Sequence, residues 1–234
     1  MSMDTTGTFM EARTQGYERH WSIGFSIWFC ALVPPLLLMA AIAQQPWIDP
    51  GDLLRDTLAV AEMKTECCKV YYRAVSNLGI MTWIGGAAVC LFSAAVLAMR
   101  SGRGTEVSFL VVAGLFTAFL AMDDLFLVHE NVLPAFGVSE PVTYAAYGAL
   151  GLAYLVFASE SIVEHRYILF AAACGLLATS VLIDWQVHTD HPLRIVLEDG
   201  AKLTGIVCWT AFHLDAAWTL LKSELAKIRY VSFA

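Results

Sequence analysis

The chain has 234 residues, 58% of them hydrophobic and only 15% charged, with a formal net charge of −7. A soluble domain carries roughly a quarter charged residues, so too little polar surface remains to cover a water-soluble globule. The acidic balance and the lack of any basic stripe exclude nucleic acid as a partner.

A helix needs about 20 mostly apolar residues to cross the hydrocarbon core of a bilayer. The runs that qualify are Trp21–Gln44, Val75–Met99, Val107–Val128, Val142–Phe157, Tyr167–Val187 and Leu197–Leu221. The fold expected is an all-α bundle of about six transmembrane helices, polytopic, with one extracytoplasmic or interfacial helix. A kink is expected in the first span at Pro34-Pro35. Residues 1–20 form an amino-terminal segment, 21–222 the membrane domain and 223–234 a tail.

The connection 45–76 opens with a turn at Asp49-Pro50-Gly51. From Asp52 it lacks Pro and Gly until Gly79, which predicts a helix leading into the second span. Arg13, Arg19, Arg100, Arg103, Arg166, Lys222, Lys227 and Arg229 all fall on one side of a six-span topology. The positive-inside rule then makes both termini cytoplasmic, as in a bacterial plasma membrane. Cys30, Cys90, Cys174 and Cys208 lie in apolar runs, where cysteine acts as a small hydrophobe. Cys67 and Cys68 sit in the polar connection and are expected to be free thiols.

Three segments rich in acid and histidine share the non-cytoplasmic side. The third span ends Asp123-Asp124-Leu125-Phe126-Leu127-Val128-His129-Glu130, and the fifth ends Asp184-Trp185-Gln186-Val187-His188-Thr189-Asp190-His191. The sixth opens with Glu198, Asp199 and Lys202. Asp123, Asp124 and Asp184 lie within their apolar runs, where an unpaired charge costs a few kcal/mol, so they face the bundle and find partners. Helical spacing puts Asp123 and Glu130 on one face. It lines up Ser180, Asp184, His188 and His191 if that helix persists to Pro192, and Asp199, Lys202, Trp209 and His213 on the last span.

Imidazole with carboxylate is the ligand set of a divalent zinc, iron or manganese ion. Asp124, His129, Asp184 and His188 are the candidate ligands, and Asp123 and Glu130 the candidate catalytic groups that orient a ligand or act as general base. His191, Glu198, Asp199 and Lys202 stand behind them. His129 and Glu130 are adjacent, so both serve only if the helix unwinds locally.

Simpler accounts stand beside these. Asp123 and Asp124 would be satisfied by an ion pair with Lys202. Lys202 itself pairs most simply with Glu198 or Asp199, and acids there complement the helix dipole. His188 and His191 fit an interfacial turn, His213 a packed residue bonded to a carbonyl or Thr210, and Asp215 a partner for Lys222. The leading functional expectation is a metal-dependent, hydrolase-like membrane enzyme acting on a lipid, a lipid-linked group or another small molecule. A proton- or cation-coupled transporter using the same acids and a non-catalytic assembly subunit are the alternatives. A retinal-type photoreceptor is disfavoured by the span count and the shallow lysine.

Overall fold

The computed structural model describes residues 26–63, 69–100, 104–186 and 191–231. In order, α1 is Ser26–Gln44, α2 Pro50–Leu54, α3 Thr57–Met63, α4 Ala74–Arg100 and α5 Gly104–Phe126. A π-helical turn, Val128–Val132, and the short α6, Leu133–Ala135, lead to α7, Glu140–Glu164. The chain then forms α8, Tyr167–Gln186, and α9, Pro192–Val231. Helix is the solution that satisfies every backbone N–H and C=O internally where lipid offers no partners.

Five helices, α1, α4, α5, α7 and α8, are long and apolar enough to cross a membrane. The expected sixth span, α9, is not among them. It has 40 residues, but polar positions such as His213 and Asp215 lower its hydropathy. Those side chains do not face lipid: α9 packs along α8 and α4, and α4 along α5. Burial against protein removes the need for an apolar sequence, so the innermost helix reads as the least membrane-like one.

Close approach at glycine sets these packings. A β-carbon on Gly114 of α5 would sit 2.7 Å from Leu91 Cγ of α4, and one on Gly205 of α9 would sit 2.9 Å from Leu177 Cγ of α8. The main core joins Trp83, Phe109, Tyr154, Phe170, Trp209 and Phe212 across five helices, and a smaller cluster holds Met39, Ile42, Leu54, Val75, Ile195 and Leu203.

One local expectation is corrected. The connection after α1 is not one continuous helix. Asp49 caps α2 through its carboxylate, which accepts from Gly51 N at 2.8 Å, and the chain breaks at Arg55 and turns again before α4. Within the described residues α8 reaches Gln186 and α9 begins at Pro192. The final helix continues past residue 222 to Val231. α1 runs without interruption through Pro34-Pro35. Cys30, Cys90, Cys174 and Cys208 are free thiols. Cys67, Cys68 and the amino-terminal 1–20 lie outside the described residues.

Candidate functional site

The end of the bundle where α5 finishes and α9 begins collects the charged groups. α5 ends at Phe126, and Leu127 then takes a left-handed conformation (φ 52, ψ 43) that a branched side chain rarely adopts. This reversal, followed by the π-helical turn, swings His129 back over the helix it has just left. His129 Nδ1 meets Asp123 Oδ2 at 2.6 Å, and its backbone N–H donates to Asp123 Oδ1 at 3.0 Å. Tyr147 of α7 donates its hydroxyl to the same Oδ1 at 2.7 Å. An ionised carboxylate only accepts, so Nδ1 carries a proton and Nε2 is turned outward. There it lies 3.4 Å from Glu130 Oε1.

The local unwinding that the adjacency of His129 and Glu130 demanded is therefore present. It also replaces the simple helical face that would have put Glu130 in line with Asp123. Burial opposes charge on His129, but hydrogen bonds to Asp123 and Glu130 outweigh it and push its pKa up to about 9. The same hydrogen bond from His129 holds the Glu130 carboxyl below its usual range despite burial, with Lys202 and Arg73 adding to the effect.

Asp124 points the other way. Lys202 Nζ of α9 donates to its Oδ1 at 2.7 Å, and the Arg73 guanidinium approaches the same oxygen at 3.7 Å. Arg73 also donates to the Asp124 backbone carbonyl, while its own N–H donates to Asp52 O at 3.0 Å. Arg73 has φ 61; among the described residues it and Leu127 are the two non-glycine residues with positive φ. Each such conformation costs about 1–3 kcal/mol and persists where surrounding contacts enforce it, a pattern common at functional sites. Both flank the Asp123-Asp124 pair.

The third acidic segment stands apart. Asp184 leaves 51% of its side chain exposed and pairs with Arg194 at 3.0 Å; the same guanidinium holds Glu198 at 3.2 Å. Arg194 thus ties the end of α8 to the start of α9. His191 accepts from Leu193 N at 3.2 Å through Nδ1 and caps α9. His188 lies outside the described residues.

Of the expected set of Asp124, His129, Asp184 and His188, the three described residues are thus turned to different partners. Asp124 belongs to Lys202 and Arg73, His129 to Asp123, and Asp184 to Arg194. Among the described residues no group of three or more His, Cys, Asp or Glu side chains is placed to hold a metal ion. Lys202 reaches across to α5 rather than pairing along its own helix with Glu198 or Asp199. Its stem spans the gap between helices to reach Asp124, whose side chain is 7% exposed.

Sequence reasoning passed over Arg73 and Tyr147. Arg73 sits in a charged connection where nothing marks it out. Tyr147 did leave a signal: Thr143, Tyr147 and Tyr154 recur at helical spacing within an otherwise apolar run.

Further along the bundle, Trp209 Nε1 donates to Thr117 Oγ1 at 2.9 Å, and His213 lies fully buried. His213 Nδ1 donates to Trp209 O at 2.8 Å, so Nε2, 2.7 Å from Tyr154 Oη, accepts the phenol proton. Phe109, Phe170 and Phe212 pack around this pair. At the opposite end Asp215 pairs with Arg166 at 2.9 Å. Arg166 begins the approach to α8 and meets α9 from the side, and so takes the place expected for Lys222.

Long apolar helices with buried charge pairs between them define a polytopic helical membrane protein. Residues 29–216 match the family described as "Domain of unknown function (DUF8692)", and the chain belongs to it. No curated protein and no solved structure matches the chain.

Proposed function

We propose that this protein is a membrane enzyme of hydrolase type. In this reading it works by general acid–base chemistry on a lipid or lipid-linked substrate at the non-cytoplasmic membrane boundary. The observation that carries the reading is His129, bracketed by Asp123 at 2.6 Å and Glu130 at 3.4 Å through a strained backbone reversal. Two neighbouring groups whose proton affinities are driven apart are the mark of an acid and base pair. His129 Nε2–H donates a proton to the departing group, and Glu130 takes one from the attacking water. Asp123, fixed by Tyr147, keeps the imidazole in one tautomer. The pair lies just beyond the apolar run of α5, where the polar head of an amphiphile meets its chains. The aromatic packing around Tyr154 and His213 fills the centre of the bundle, which supports boundary chemistry over passage through it.

In a second reading a divalent ion would be held by His129 Nε2 and Glu130, with Asp123 orienting the ring. Elemental analysis of the purified protein tests that second reading; metal below stoichiometry ends it.

For the acid–base reading, the full chain in lipid nanodiscs is incubated with a panel of lipids and the products are followed by mass spectrometry. Wild type releases a headgroup or acyl product. His129→Gln and Glu130→Gln lower the rate by about 10²–10⁴-fold, the usual worth of a general acid or base. Unchanged turnover in His129→Gln, or no product from any lipid, overturns the proposal.

A further inference from the structure

A small cavity lies between α4 and α9, lined by Val75, Ser76, Gly79, Asp124, Asp199, Lys202, Leu203 and Ile206, with room for little more than a water molecule. Its polar wall is rich in acceptors. Asp124 Oδ2 is buried, on a side chain only 7% exposed, and has no hydrogen-bond partner among the described residues. Asp199 feels the charges of Lys202 and Arg55 but makes no hydrogen bond among the described residues. The Ser76 hydroxyl proton is already given to Leu54 O at 3.2 Å, so its oxygen is left to accept. A buried acceptor without a donor costs about 1–3 kcal/mol. The oxygens call for an occupant that is small and offers positive charge.

We propose that this cavity binds a small monovalent cation of the sodium class, held by Asp124 Oδ2, the Asp199 carboxylate and Ser76 Oγ, in competition with the Lys202 ammonium. Hard carboxylate and hydroxyl oxygens suit an alkali ion and not a soft transition metal. The single charge follows from exchange: Lys202 is itself a monovalent cation in contact with Asp124, so an ion of equal charge replaces it without changing the net charge of the cluster. Lys202 can yield its place, because 30% of its side chain is exposed and its flexible stem lets the ammonium move into water. Its oxygens are not those of the His129–Glu130 pair, although Lys202 acts on Glu130 as well, and its test needs no substrate or turnover.

The test follows thermal unfolding of the detergent-purified full chain by tryptophan fluorescence in sodium, potassium, calcium or choline chloride at equal ionic strength. Sodium-23 NMR line broadening gives a direct reading of binding. Sodium is expected to raise the melting temperature above that in choline. Asp199→Asn should weaken sodium binding at least tenfold, and Lys202→Met, which removes the competitor, should strengthen it at least tenfold. Asp124→Asn should abolish it, and the first two variants decide the matter if that one does not fold. Equal melting temperatures in sodium and choline for both wild type and Lys202→Met would show a cavity that holds water alone. A response to calcium only would equally overturn the proposal.

Discussion

The charge on His129 makes a quantitative prediction about stability and pH. Its pKa rises from 6.5 to about 9 on folding. A group whose folded pKa is raised contributes stability that is fully present below its unfolded pKa and is lost as pH climbs through the folded one. The window is therefore pH 6.5 to about 9. At 1.36 kcal/mol per unit the shift is worth at most about 3 kcal/mol. The ring is 24% exposed, and the same contacts also act on Glu130 and Asp123, so roughly 2 kcal/mol is the working figure. For a chain of this size that is a fall of about 4–8 °C in melting temperature. The groups facing the ring are Asp123 from α5, Glu130 from its own turn and Tyr147 from α7. The assay is thermal unfolding in detergent from about pH 6 to about pH 9.5, for wild type and His129→Gln, since glutamine keeps a donor but cannot titrate. The difference between the two should shrink as pH rises. If the variant loses as much stability as wild type across that window, His129 is not held as a cation between two carboxylates and the reasoning fails.

Three further outcomes follow from packing and pairing. Tyr154→Phe removes the donor to His213 Nε2 in the core and should cost about 1–3 kcal/mol, read as a lower melting temperature. Gly205→Ala drives a methyl against Leu177, including its backbone nitrogen at 3.1 Å, and should destabilise by about 1–3 kcal/mol, whereas Gly85→Ala meets open space and should change stability by less than about 0.5 kcal/mol. Arg166→Met strands Asp215, whose side chain is only 15% exposed, and should lower stability by about 1–3 kcal/mol; Arg166→Met combined with Asp215→Asn should recover much of the loss.

The sequence alone settled the helical membrane class, because long apolar runs have one workable backbone solution in lipid. It also marked Asp123, Asp124 and His129 as residues needing partners, because charge at membrane depth is costly wherever it points. Which partners they have was beyond it. Asp124 is held by Arg73 and Lys202, 51 and 78 residues away, and long flexible cations reach across helices in ways no spacing rule records. His129 returns to Asp123 only because Leu127 abandons the helix, a reversal against local preference that the surrounding contacts impose. Periodicity reports which face a residue occupies while a helix lasts. Once the helix breaks, only three-dimensional packing decides which charges meet.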